Sequence, residues 1–347
     1  MIGPDFSVVG GITSLNKMIM KEIYDEISVD FSPSMHQRNL PGRFSLWIRS
    51  LIFAPFIRIF RPPDVVHIHV SSDLSMLRKT SIGNMWNMLG VPVIYHTHGS
   101  KARDFIEGSS FITKWVISRR FRRASAIITL SEGWKKWYSE NLGIESSRFA
   151  VLPTPIALPP LQEIDQKERG DVLYSGLMGL RKGTFDLIEA WSRIPDEEKY
   201  GRKLHLIGNG DVSEAREKSK QLNQEGTCII HGWVSEEEKI ELMRSCGIYV
   251  LPSHNEGLPM GLLEAMSWGL SPISTGVGAI PEIIINGENG ILVPPGNVDE
   301  ISLAIRSLMD DPSKRHAISA SAIETAKEHD WEEYIGNLTT LWKEKSR

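Results

Sequence analysis

The chain has 347 residues, 41% hydrophobic and 24% charged, a composition that excludes wholesale disorder and, at roughly 100–200 residues per domain, points to two domains. A formal charge of −4 excludes a nucleic-acid polycation, and the only two cysteines, Cys228 and Cys246, exclude a disulfide framework and point to a reduced, cytoplasmic setting. No apolar run of about 18 residues predicts a transmembrane helix, and MIGPDFSVVGG lacks the basic stretch and apolar run of a signal peptide.

Along the chain, Met1-Ile2 is all that stands for a first strand, followed by Val9-Gly10-Gly11-Ile12 and a helix over Leu15–Ile27. A glycine pair before a helix allows close approach of a phosphate, although such pairs are also ordinary turn material. Between Asp30 and Asp64 there is no acidic residue, while Arg38, Arg43, Arg49, Arg58 and Arg61 alternate with bulky apolar side chains. The segment FITKWVISRRFRRAS repeats that character with Lys114, Arg119, Arg120, Arg122 and Arg123. Residues 38–61 and 112–123 therefore fit an anionic membrane surface, or a buried apolar face with a solvated basic edge; both readings stand at this stage.

PDVVHIHV (63–70), VPVIYHTHG (91–99), SAIITLS (125–131) and FAVLPTP (149–155) read as strands, with helices over Leu74–Leu89 and Glu132–Asn141. Each pair His67/His69 and His96/His98 shares one strand face. Neither has an Asp or Cys cluster beside it, so no metal site is assigned. His67 and His96 read as core-edge residues, whereas His98 ends its strand, where a proton-handling group would meet a ligand. TPIALPPLQEIDQKERG (154–170) reads as a linker.

The alternation then restarts, with strands in 171–177, 203–210, 227–234, 247–253, 270–276 and 290–296. Helices are expected over Thr184–Ser192, Val212–Asn223, Glu236–Ser245, Met260–Trp268 and Asp299–Met309. The fold class is thus α/β, two doubly wound Rossmann-like domains with a ligand cleft at the strands' carboxyl ends. Charge divides with them: residues 1–155 carry a net +7 and residues 156–347 a net −11.

Two clusters in the second half carry chemistry. In SHNEGLPMGLLEAMSWG, Glu256 sits in a loop and Glu264 eight residues on in a helix. Amides from Met260 onward open that helix toward an anion such as a diphosphate, and either carboxylate can accept hydrogen bonds from sugar hydroxyls. In YSGLMGLRKGTFDLIEA, Arg181 and Lys182 precede a helix start and can neutralise phosphate oxygens. Taken singly, each of these residues also fits a solvated surface position. No Asp-x-Asp occurs, so a metal-bridged diphosphate is not expected.

Gly10-Gly11, DVVHIHV, HTHGS, SGLMGLRKG, LIGNG, HGWV, and above all LPSHNEGLPMGLLEAMSWGLSPISTGVGAIPEII with NGENGILVPPGN, resemble the retaining glycosyltransferases of family 4. That resemblance covers most of the chain. It implies a GT-B fold, with residues 1–155 plus a C-terminal helix at about 330–347 forming an acceptor-side domain and 156–329 a nucleotide-sugar-binding domain. It implies no cofactor and no metal; the substrate is a UDP- or GDP-linked sugar, transferred to a glycan or lipid-linked hydroxyl in polysaccharide, lipopolysaccharide or glycolipid assembly. By position, Glu256 matches the glutamate near the donor sugar, Glu264 the one on the ribose, and Lys182 the lysine on the diphosphate. Gly10 and Gly11 match the glycine-rich loop, His98 the histidine near sugar and acceptor, Trp233 and Val234 the base contact, and Leu258, Pro259 and Met260 the amides on phosphate and sugar. One departure is Leu177, where the family carries an arginine; Arg181 is the candidate substitute. Two other classes stay open, a GT-B-like sugar-nucleotide epimerase or hydrolase and, because of Leu177, a non-catalytic relative. The expected location is the cytoplasm, at the inner face of the membrane if the basic stretches bind lipid.

Overall fold

A computed structural model of the chain describes residues 1–8, 10–21, 27–35, 40–160 and 170–346, with the side chains of 40–43 also outside the description. Arg38, the side chain of Arg43 and most of the expected linker lie beyond it. The chain divides into two compact units, Met1–Pro155 with Glu332–Arg347, and Ile156–Trp331.

The first unit runs β1 (Ile2–Pro4), α1 (Gly11–Lys21), β2 (Ser32–Met35), α2 (Leu40–Phe60), β3 (Val66–Val70), α3 (Asp73–Met88), β4 (Val93–Thr97), α4 (Ala102–Glu107), α5 (Phe111–Phe121), β5 (Ala126–Thr129), α6 (Glu132–Leu142) and β6 (Phe149–Val151). Its six strands form one sheet in the order β2-β1-β3-β4-β5-β6, every recorded pairing parallel. The buried strand centres are Ile68, Ile94, Tyr95, Ile127 and Ile128, the near-continuous apolar runs that a sheet covered on both faces requires.

Four elements of this unit, β2, α2, α4 and α5, were not expected from the sequence. β2 is SPSM, a sheet-edge strand with Pro33 and no apolar run, so periodicity cannot find it. α2 is apolar on several sides and carries Pro55, which blurs any helical period. α1 begins at Gly11, four residues before the expected Leu15, because the Gly10 carbonyl accepts the amides of Thr13 and Ser14 at 3.0 Å each.

The second unit runs β7 (Asp171–Ser175), α7 (Thr184–Ser192), α8 (Asp196–Lys199), β8 (Leu204–Ile207), α9 (Val212–Gln221), β9 (Cys228–Gly232), α10 (Glu236–Ser245), β10 (Cys246–Leu251), α11 (Met260–Ser267), β11 (Ser271–Thr275), β12 (Ile291–Val293), α12 (Val298–Asp310) and α13 (Pro312–Lys327). Its sheet order is β12-β11-β10-β7-β8-β9, again parallel. Helix starts follow side-chain caps: Ser235 and Glu238 form a capping box on α10, Asn297 caps α12, and Asp311 caps α13 with Pro312 behind it. At the end of this unit Trp331 donates to the Ile156 carbonyl at 3.0 Å and Ile156 donates to that of His329 at 2.9 Å. α14 (Trp331–Lys345) then belongs, from Glu332 on, to the first unit.

Candidate functional site

In the second sheet the strand order reverses between β7 and β10, neighbours in the middle of the sheet. The loops leaving the carboxyl ends of two such strands diverge and leave room for a ligand. The loop after β7 carries Arg181 and Lys182 in a 3-10 turn, and the loop after β10 carries Glu256. Lys182 Nζ and Glu256 Oε1 form a close ion pair. Arg181 Nη1 lies 3.8 Å from the other oxygen, Oε2, and donates to the Asn255 carbonyl at 3.0 Å. Glu256 is nearly buried, at 6%, and Lys182 is 14% exposed, so the pair sits in a setting of reduced dielectric. With two cations on one carboxylate the cluster keeps a net positive charge.

Neighbouring groups fix this arrangement. Ser253, fully buried, donates to Glu256 Oε1 at 2.7 Å, and Thr275 holds the Ser253 carbonyl at 2.6 Å. The His254 amide donates to the Arg181 carbonyl at 2.8 Å, while His254 Nε2 meets Asp186 Oδ2 at 2.7 Å. Gly183 adopts φ +67°, and a Cβ there would run into the Pro252 carbonyl, so the Lys182 loop touches the end of β10 only because this residue is glycine. Gly278, at φ +61°, packs in the same way against the Glu256 backbone.

Helix α11 starts directly above this cluster with Pro259 at its N-cap, and α7 starts with Gly183; neither has a side-chain cap. Serine, asparagine and aspartate side chains cap α10, α12 and α13, whereas the starts of α7 and α11 leave their amides and dipole to a bound anion. Leu258 and Pro259 are buried and Met260 half-buried at this opening.

Glu264 is placed differently from Glu256. It pairs with Lys239 of α10 at 3.3 Å, not with Lys182. Burial pushes its carboxyl above the usual range, and Lys239 pulls against that shift. Tyr249 is buried, its hydroxyl donates to the Ser175 carbonyl at 3.0 Å, and its pKa is raised by burial, then by Tyr174, Glu264 and Glu256. Trp233, 69% exposed, and Val234 follow β9, two strands beyond β7 and roughly 10 Å across the sheet. Leu177 is half-exposed and supplies no charge, and Arg181 occupies the cationic place beside Glu256 instead. Ser253, His254, Asp186, Lys239 and Tyr249 were not singled out in the sequence; each acquires its role from a contact across the fold, which no local pattern signals.

The first unit holds the remaining expected residues. Gly10 has φ +155° with no atom within 4 Å of an added Cβ, and Gly11 opens α1 at β1, beside the first sheet's own strand-order reversal. His98 does not stand apart from the other three histidines. His69 Nδ1 meets His98 Nε2 at 2.8 Å, His67 Nε2 meets His96 Nδ1 at 3.2 Å, and the rings stack into one ladder. Trp342 of α14 donates to His67 Nδ1 at 2.9 Å. That fixes the protons in sequence: His67 donates through Nε2 to His96 Nδ1, and His96 keeps its proton on Nε2, which has no partner among the described residues. Ligand atoms of His67, His69 and His96 lie within 4.8 Å of one another, a spacing open to a metal ion, but a metal on His96 Nε2 would have to reverse this proton order. Burial lowers the pKa of all four, to about 3 for His98, so the ladder is neutral near pH 7.

The family model described as Glycosyltransferase Family 4 matches residues 22–158, and that described as Glycosyl transferases group 1 matches residues 162–325. An uncharacterized glycosyltransferase of Methanocaldococcus jannaschii is 27% identical over 260 residues, covering 75% of this chain and 70% of that protein. The O-antigen chain mannosyltransferase B of Escherichia coli is 31% identical over 185 residues, but that spans 53% of this chain and only 47% of the relative. Anabaena HepE, solved in complex with UDP and glucose, superposes with a TM-score of 0.72 at 18% identity, over 94% of this chain and 88% of that one.

Proposed function

This chain belongs to the family 4 glycosyltransferases, and from that premise we propose that it transfers a hexose from a nucleotide-diphospho-sugar to a hydroxyl acceptor, without a metal and with retention of anomeric configuration. The observation that carries the reading is the Lys182–Glu256 pair, with Arg181 alongside, at the uncapped start of α11. In the proposed step the bond from the anomeric carbon to the diphosphate oxygen breaks, and its electron pair stays on the leaving phosphate. Lys182, Arg181 and the amides from Leu258 to Met260 stabilise that developing charge. The acceptor hydroxyl forms the new bond on the same face and gives its proton to the departing phosphate oxygen.

Glu256 holds the sugar hydroxyls once the diphosphate draws Lys182 away, and Glu264 accepts from the ribose, with Trp233 and Val234 at the base. Gly10 and Gly11 approach the diphosphate. His98 spends Nε2 on His69, so a hydrogen bond to the sugar or acceptor falls to Nδ1. The acceptor class is a glycan or lipid-linked hydroxyl of surface polysaccharide, lipopolysaccharide or glycolipid, and the setting is the cytoplasm.

A panel of UDP- and GDP-sugars screened by thermal shift, followed by transfer assays with and without EDTA, tests this. One donor should raise the melting temperature, since a ligand stabilises by RT ln(1 + [L]/Kd). Transfer that persists in EDTA supports the metal-free step. Donor turnover at full rate with no acceptor would favour the hydrolase or epimerase reading.

A further inference from the structure

We propose that Lys79, buried behind the uncapped N-terminus of α3, binds a phosphate ester carried by the acceptor. The inference deepens the transfer reading and rests on it, since it names the chemistry of the acceptor. The buried stripe of α3 consists of Met76, Lys79, Thr80, Ile82, Gly83 and Trp86. Lys79 is 5% exposed at a position where an apolar side chain is the rule. Among the described residues it has no hydrogen bond and no ion pair. Desolvation, and then the Arg78 charge, push its pKa down to about 7. Burying an unpaired ammonium is costly, so its retention on a core-facing stripe points to an anion that completes it.

Helical side chains lean toward the helix N-terminus, so the ammonium reaches back toward the first turn of α3 and the carboxyl ends of β3 and β4. Its electrostatic reach agrees. After burial, the Lys79 charge is the next cause that lowers His98, and it also lowers His69, which meets His98 at 2.8 Å. The same strand ends touch the start of α3. The His98 amide donates to the Val70 carbonyl at 2.8 Å. A Cβ on Gly99 would come within 2.9 Å of the Ser71 carbonyl carbon and 3.2 Å of the Ser72 amide nitrogen. Ser72 holds the N-cap position but gives its hydroxyl to Asp73 Oδ2 at 2.9 Å, so no side chain caps the first-turn amides. Asp73, the one acid of α3, is exposed. Open amides together with one ammonium suit a phosphate. That phosphate lies beside His98, on the acceptor side, whereas the donor diphosphate has Lys182 and Arg181 in the other unit.

NMR of the full chain with isotope-labelled lysines, following the Lys79 Cε resonance, tests the inference; the resonance is assigned by its loss in Lys79→Met. Inorganic phosphate and octyl phosphate should each shift it and raise the pH at which Lys79 titrates, while uncharged octyl glucoside should do neither. Octyl phosphate should act equally with UDP or GDP bound. Lys79→Met should weaken octyl phosphate binding about tenfold or more, with nucleoside-diphosphate binding unchanged. Its melting temperature should hold or rise, because an apolar side chain replaces an unpaired buried charge. A Lys79 resonance indifferent to both phosphates, displacement of octyl phosphate by UDP or GDP, or a variant that melts lower yet keeps its phosphate affinity would each overturn the proposal. The titration needs no turnover, so its failure is distinct from failure of the transfer reading, which shows as no UDP- or GDP-sugar bound or consumed.

Discussion

Lys182 and Glu256 lie 74 positions apart in the chain and form one ion pair, to which Arg181 adds a second cation 3.8 Å from the opposite carboxylate oxygen. A dianionic diphosphate entering between them competes for Lys182 and frees Glu256 for neutral hydroxyls. The pair therefore stores both binding roles in one contact while the site is empty of donor.

Lys182→Ala should lower kcat about 10²–10³-fold, the usual cost of one charge-stabilising donor at a leaving group. Glu256 keeps Ser253 and Arg181 in that variant, so circular dichroism should remain native. Unchanged kcat would remove Lys182 from the chemistry.

Gly183→Ala places a side chain at φ +67° against the Pro252 carbonyl, which costs at least 1–2 kcal/mol or displaces the Lys182 loop. The melting temperature should fall by about 2–8 °C and transfer should drop with it. Gly226→Ala, where an added Cβ meets nothing within 4 Å, should leave both unchanged and serves as the control.

Glu264 is held above the usual carboxylate range by burial, against the pull of Lys239. If its ionised form binds the ribose, nucleoside-diphosphate affinity should fall as pH drops through that raised pKa. Lys239→Met removes the opposing cation, so the loss should set in at higher pH. Calorimetric titration of UDP and GDP across pH measures the midpoint in both proteins, and a coincident midpoint would exclude the coupling.

The histidine ladder predicts acid sensitivity. His67, His69, His96 and His98 all have native pKa values lowered by burial, below the ordinary 6.5. Below pH 6.5 the unfolded chain takes up protons that the folded chain refuses, so the stability present above that pH is lost as pH falls. Each ladder residue contributes up to about 1.4 kcal/mol per pH unit. Denaturant unfolding at a series of pH values should show this acid limb, and His96→Leu should make it shallower.

Much of the fold was legible because it is written locally. Thr184–Ser192 and Glu236–Ser245 coincide with α7 and α10, where an apolar strand ends, a glycine or a capping box follows, and an amphipathic helix begins. β2 was not legible, since an edge strand containing Pro33 owes its existence to β1 and not to its own side chains. Of the site, Lys182, Arg181 and Glu256 announced themselves as charges flanked by glycines at strand ends. Lys239, which faces Glu264, looked like any other charge in SEEEK, and the four-histidine ladder required the register that sets His69 opposite His96.

The main-chain bridge joining Ile156 to His329 and Trp331 has a further meaning. The segment that carries Lys182, Glu256 and Glu264 enters and leaves at the same spot, so its two ends are already joined by hydrogen bonds. Such a self-closed cassette can be cut out, permuted or exchanged at a seam a few residues wide, leaving the sheet of the other unit uninterrupted in its own strand order.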